Sequence, residues 1–262
     1  MDLELRGKVA LVTAASKGLG RASAMALAAE GAQIAISARS AMLETTAAEI
    51  GAATDAQVLA VRGDVSEAAD VTRMVAATME RFGQIDILVI NAGGPPPGSF
   101  LSLTIDQWEQ ALQLTLLSAV RLCHAVVPHM LQRSSGSIVA IQSASVKQPV
   151  DNLILSNSIR LAVIGLLKSL AIELGPHGIR VNSLNPSFAH TERVDQLLVA
   201  RAAANHSTPA AEAEKVVAGI PLGRMGTPEE FGRTLAWLAS PAASYVHGQA
   251  VMFDGGAVRV PL

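Results

Sequence analysis

Cysteine and tyrosine are almost absent from this 262-residue chain, which holds one of each, Cys123 and Tyr245. A single cysteine excludes an intramolecular disulfide framework and any cysteine-rich zinc site, and no spacing of histidines and acids suggests another metal centre. An excess of one charge is also missing. Lys and Arg total 20 against 22 Asp and Glu, a net charge of −2, so there is no basic field for nucleic acid. Charged residues make up only 16% and hydrophobic residues 50%, which fits one large domain with a sizeable core. Met1 to Arg6 is charged and lacks the apolar centre of a secretory signal. The longest apolar segment, Leu153 to Leu174, is interrupted by Arg160, Lys168 and Glu173 and does not read as a membrane span. A soluble, cytoplasmic protein is expected, with no nucleic-acid or membrane partner. Asn205-His206-Ser207 matches a glycosylation sequon, which reads as chance in such a chain.

What is present is organised around Val9 to Arg21. Val9-Ala10-Leu11-Val12 reads as a short buried strand, Thr13 to Gly20 as a small-residue turn, and Arg21 to Glu30 as a helix. Strand, turn and helix in that order begin a dinucleotide-binding fold. Backbone N–H groups of the turn approach a pyrophosphate, and the helix N-terminus favours the negative charge. Gly18 and Gly20 are expected to supply the close approach, with Ser16, Lys17 and Leu19 between and beside them. The alternative is an ordinary strand–turn–helix of an α/β protein.

The rest of the chain keeps alternating. Strands are expected at 33–37, 58–61, 85–90, 137–141, 179–184 and 251–253. Helices are expected at 41–51, 67–82, 108–130, 153–174 and from Thr227-Pro228 onward, where Thr227 is a cap and Pro228 suits the first helical position. Such alternation predicts an α/β fold, a doubly wound parallel sheet covered on both faces, in one domain. The second strand ends at Ala38-Arg39-Ser40. An acid there would hold a ribose 2′-OH, whereas an arginine accommodates a 2′-phosphate. Arg39, with Lys17 close by, favours NADP(H) over NAD(H); the plainer reading of Arg39 is a solvated strand-end charge.

Thr13-Ala14-x-x-x-Gly18-x-Gly20 resembles the TGxxxGxG turn of short-chain dehydrogenases/reductases, with Ala14 in place of the first glycine. Asp64-Val65 resembles that family's Asp-Val. Asn91-Ala92-Gly93 matches the last three positions of its NNAG motif, and Pro186-Ser187 stands where it reads Pro-Gly. These motifs keep the family's order, and the likeness, strongest to 3-oxoacyl-carrier-protein reductases, covers almost the whole chain. It implies a Rossmann-type domain over residues 1–262, with 190–217 as a substrate lid. It also implies cofactor contacts at Thr13, Asp64, Val65, Asn91, Ala92, Gly93 and Pro186. Asp64 reads equally as a residue capping the helix that follows. The family's tetramers or dimers imply a homo-oligomer. The apolar faces around Leu112, Leu116 and Ala119, and around Val163, Leu166 and Leu170, allow one, although they serve equally well facing the sheet.

The resemblance also implies where the chemistry sits, and there the chain departs from it. The family uses a serine, a tyrosine, a lysine four residues later, and an asparagine on the preceding long helix. Ser143 falls on the serine, but Ser156 replaces the tyrosine, Arg160 the lysine and Thr115 the asparagine. An aliphatic hydroxyl is a far weaker acid than a phenol, and an arginine does not give up its proton. Three readings follow: an NADPH-dependent oxidoreductase of carbonyl or alcohol substrates with a rebuilt proton-donor site, a cofactor-binding protein without turnover, or a non-redox reaction on the same scaffold. His190, His124, His129, Glu173, Asp151 and Tyr245 are weaker candidates for chemistry.

Overall fold

The strands form because their residues have apolar partners on both faces. In the computed structural model, which describes residues 2–260, all four residues of β1 (Val9–Val12) are buried. Alternate residues point to opposite sides. Ala10 and Val12, with Ile34 and Ile36, join a core containing Leu27, Phe231 and Leu235. Leu11, Ala35, Leu88 and Ile138 join a second core with Met74, Leu122, Val126 and Val163 on the other face. Two cores on one sheet demand continuous apolar strands, as seen in sequence.

The described residues contain a seven-stranded parallel sheet in the order β3-β2-β1-β4-β5-β6-β7. The other strands are β2 (Gln33–Ala38), β3 (Val58–Arg62), β4 (Ile87–Ile90), β5 (Gly136–Ile141), β6 (Ile179–Pro186) and β7 (Ala250–Phe253). β1 pairs with β2 on one side, Leu11 opposite Ala35, and with β4 on the other, Leu11 opposite Leu88. The strand order therefore reverses between β1 and β4, which opens a crevice at their C-terminal ends.

The helices are α1 (Gly18–Ala29), α2 (Met42–Thr54), α3 (Ala68–Phe82), α4 (Ile105–Leu112), α5 (Ser118–Arg133), α6 (Ile154–Leu174), α7 (Glu192–Ala204), α8 (Pro209–Ala218) and α9 (Pro228–Ala239). α1 packs closely on α9, because Gly232 brings the backbones together: a Cβ there would lie 2.4 Å from the Ala22 carbonyl oxygen. The long helix expected at 108–130 starts at Ile105, where Thr104 and Gln107 form a reciprocal capping box. A π-helical turn, Gln113–Leu117, joins α4 to α5 and holds Thr115. The continuous stretch Ile105–Arg133 is long and apolar enough to cross a membrane by length and composition. Its Ala119, Leu122, Cys123, Val126 and Met130 lie in the second core. The segment 190–217 forms α7 and α8 over a small core of Val194, Leu198, Val216 and Ile220.

The apolar faces offered for self-association mostly turn inward. Ala119 and Val163 are fully buried, and Leu116, Leu166 and Leu170 pack against the second core, while Leu112 lies at the surface.

Candidate active site

The turn after β1 is tied to β4 before any ligand is considered. The Thr13 hydroxyl donates to the Asn91 carbonyl at 2.7 Å and accepts from the Asn91 N–H at 2.9 Å. Asn91 Nδ2 donates to the Ala14 carbonyl at 3.1 Å. Thr13 and Asn91 thus clamp the two strands at the point where their order reverses. Ala14, at the family's glycine position, has φ +48°, a left-handed backbone that costs an alanine energy and a glycine little. Gly20 also has a packing duty. Gly20 is buried, and a Cβ would meet the Ala14 oxygen at 2.5 Å and Asn91 Nδ2 at 2.7 Å, so its smallness serves helix–strand packing. Gly18 differs: its φ is +58°, and a Cβ would meet only Thr191 Cγ2 at 3.8 Å, leaving the space above the turn open. α1 begins at Gly18 rather than Arg21, so the turn's N–H groups belong to the helix's first, unpaired turn.

Several expected contacts have other duties. Leu19, partly buried, packs against the first core, and Val65 is buried in the second. Ser16 is buried, and its carbonyl accepts from Thr46 Oγ1 at 2.9 Å. Pro186 is buried at the end of β6, opposite Phe253. Ala92 and Gly93 follow β4, Gly93 exposed.

Around the expected ribose, Arg39 leaves the end of β2 with a side chain 73% exposed and lies 3.3 Å from Asp64 Oδ2. The Asp64 carboxylate also accepts from the Ser66 N–H at 2.9 Å, in the turn before α3, whose N-cap is Glu67 without a side-chain cap, so Asp64 shapes that turn rather than capping the helix. Burial pushes the Asp64 carboxyl up, but the Ser66 and Arg39 bonds outweigh it and hold it below the usual range. Arg62, which no motif singles out, donates to the Arg39 carbonyl at 3.2 Å and adds a second exposed cation. Lys17 pairs at 2.6 Å with Glu192, at the start of α7.

Beyond β5 lies the chemical half. Ser143 begins a 3-10 turn, and its Oγ accepts from the Ser145 N–H at 3.2 Å, leaving its own O–H free to donate. Ser156 does not bond Ser143. Its buried hydroxyl pairs instead with that of Ser145 at 3.1 Å. Arg160, four residues on along α6, is 8% exposed. Its Nη1 donates to Gln142 Oε1 at 3.3 Å and makes a long 3.5 Å contact with the Ile141 carbonyl, while its buried Nε has no partner. Burial lowers the Arg160 guanidinium to about 10, with the Arg193 charge adding to the effect. Arg160 therefore stays protonated at neutral pH. The buried Thr115 hydroxyl also lacks a partner, and α6 packs beside its π-turn.

Arg193 completes the setting and was not expected. It reaches from α7 to donate to the Pro95 carbonyl at 2.8 Å, and a Cβ on Gly94 would lie 3.0 Å from its guanidinium. Burial lowers its pKa as well. Its local sequence, Thr191-Glu192-Arg193-Val194, looks like an ordinary solvated helix start, so only the fold exposes it.

The remaining candidates are elsewhere. His190 and His124 are exposed, and Asp151 lies on a surface turn. Tyr245 is fully exposed and lines a concavity of about 550 Å³ with Gly136, Ile179 and His247, at the N-terminal ends of β5 and β6. Ligands of open α/β sheets bind at the opposite, C-terminal ends. Buried Cys123 is pushed up to about 12 by burial, so it is no nucleophile.

A family model described as Enoyl-(Acyl carrier protein) reductase matches residues 13–258. The chain is 34% identical over 257 residues to a 3-oxoacyl-[acyl-carrier-protein] reductase of Synechocystis sp., covering 97% of this chain and 98% of that protein. The chain belongs to the short-chain dehydrogenase/reductase family. Another oxidoreductase relative is the L-rhamnose 1-dehydrogenase (NAD(P)(+)) of Sphingomonas sp., 36% identical, with 96% of each chain covered. The crystal structure of L-sorbose reductase from Gluconobacter frateurii, complexed with NADPH and L-sorbose, matches with a TM-score of 0.94 and 31% identity. The match covers 99% of this chain and all of that one. Short-chain dehydrogenases/reductases of this kind are oxidoreductases, and this chain has their sheet, crevice and motif order. Its Ser156, Arg160 and Thr115 depart from the residues expected at those positions.

Proposed function

We propose that this short-chain dehydrogenase/reductase is an NADPH-dependent reductase of a carbonyl substrate, resembling 3-oxoacyl reductases, with Ser143 as the group that polarises the substrate oxygen. One observation carries the reading: Ser143 stands beside the crevice with its oxygen already occupied by the Ser145 N–H and its proton unclaimed. A hydroxyl held that way donates to a substrate oxygen without reorganisation. The open space at Gly18, the unpaired N–H groups of α1 and the exposed Arg39 and Arg62 support a dinucleotide with a 2′-phosphate. NADPH would supply the hydride when bound. The chain's part is to hold Thr13 and Asn91 as a rigid floor, present Ser143, and keep Arg160 cationic beside it. Neither Ser156 nor Arg160 replaces a phenol and a lysine as proton source, so water is the acid in this reading. The lid is α7 and α8. The buried Cys123 fits a reducing, cytoplasmic setting, and a homo-oligomer, dimer or tetramer, is the assembly the family implies.

The test is a panel of ketones and oxo acids with NADPH. Wild type consumes NADPH with at least one of them, and Ser143→Ala lowers kcat/KM roughly 10²–10³-fold. Turnover that Ser143→Ala leaves intact would overturn the role of Ser143. Ser156, whose hydroxyl pairs with Ser145 and not with Ser143, favours a second reading: a protein that binds NADPH and does not turn over. Under that reading no substrate consumes NADPH, although binding persists.

A further inference from the structure

Two guanidinia without a counter-charge are held by the segments that follow β4 and β5, the latter carrying Ser143. Among the described residues no carboxylate lies within ion-pair distance of either Arg160 or Arg193. Arg160 is more than nine-tenths buried, donates to Gln142, the residue just before Ser143, and leaves Nε without an acceptor. Arg193 is fixed from the lid side by the Pro95 carbonyl and lies against Gly94, in the loop after β4. Gln142 and Pro95 follow the paired strands β5 and β4, Ala140 lying opposite Ile90, so both guanidinia are anchored at the same end of the sheet, and the Arg193 charge acts on Arg160. A buried cation without a partner is expensive, and planar guanidinium forks match a carboxylate in two-point contacts.

We propose that Arg160 and Arg193 form a seat for the carboxylate of the substrate, so that the enzyme takes small oxo acids or their hydroxy counterparts. The proposal deepens the reductase reading and rests on it for the reaction, but not for the binding. The cofactor's phosphates are the rival claimants for the same charges. The open turn at Gly18 borders Thr191 and the Lys17–Glu192 pair, on the β1–α1 side. Arg160 and Arg193 are anchored to the segments after β5 and β4, on the Ser143 side. Closing the lid on an acidic substrate would bring Arg193 and Arg160 onto one anion and relieve their mutual repulsion.

The test uses the full chain, stripped of nucleotide, at low ionic strength. Calorimetry follows sodium pyruvate, sodium acetoacetate, sodium levulinate and inorganic phosphate, with pyruvamide, acetoacetamide and levulinamide as neutral partners, with and without NADPH. At least one acid is expected to bind, with its amide tenfold or more weaker. Arg193→Gln should weaken that acid roughly tenfold to a hundredfold and leave NADPH affinity unchanged, while Arg193→Lys keeps part of the binding. Circular dichroism establishes that both variants are folded. Three results overturn the seat: no acid bound better than its amide, phosphate bound as tightly as the best acid, or Arg193→Gln weakening NADPH while sparing the acids. Acid binding without NADPH binding would leave the seat standing and remove the reductase reading, and the reverse result would do the opposite.

Discussion

Ala14 shows what one side chain costs at a turn. With φ at +48° it occupies a conformation that glycine adopts freely, yet its carbonyl holds Asn91 in place. Ala14→Gly keeps that bond and removes the clash, so it should stabilise the protein by about 1 kcal/mol and raise Tm by about 2–4 °C, read by thermal unfolding. An unchanged or lower Tm would mean the local backbone relaxes without cost. The same holds at the two positions where the resemblance expects a tyrosine and a lysine. Ser156→Tyr together with Arg160→Lys restores the phenol and the titratable amine that the resemblance leads one to expect. If only the proton source is weakened, the double variant should raise the rate on a 3-oxoacyl substrate by about 10²–10⁴-fold, measured as NADPH consumption. No gain would mean that the pocket around Ser145 no longer admits such a substrate. The substitutions themselves are legible in sequence. That Ser156 turns to Ser145 is not, because it depends on a 3-10 turn folding onto α6.

Among elements, the strands were legible and the joints were not. Continuous apolar runs locate β1 to β7 to within a residue or two, since both faces of the sheet must be covered. The π-turn at Gln113–Leu117 has no local signal, and the clamp between Thr13 and Asn91 links residues 78 apart. The α1–α9 contact was equally hidden, since Gly232 in mid-helix reads as a weak point rather than a crossing. Its Cβ space is already filled by the Ala22 carbonyl and the Ala26 side chain. Gly232→Ala should therefore separate the helices and cost about 1–3 kcal/mol in urea unfolding, despite alanine's better helix propensity. A stabilised variant would show that the two helices slide apart freely. α7 makes two links, Glu192 to Lys17 and Arg193 to the Pro95 carbonyl, so one helix of the proposed lid touches both the β1–α1 turn and the loop after β4.

For the whole molecule, the decisive feature is the reversal of strand order between β1 and β4. It gathers the Gly18 turn, Asn91 and Ser143 at the C-terminal end of the sheet, while Tyr245 and its concavity lie at the N-terminal end. Fold and family follow from that arrangement, whereas the choice of cofactor rests on Arg39 and its neighbour Arg62. The most direct measurement is a fluorescence titration of the nucleotide-stripped protein with NADPH and with NADH, for wild type and Arg39→Ala. The account predicts that NADPH binds more tightly than NADH. It also predicts that Arg39→Ala weakens NADPH roughly tenfold or more and leaves NADH unchanged, as expected for a lost charge-assisted bond to the 2′-phosphate. Binding of neither nucleotide would contradict it, and would reduce the glycine turn to scaffold.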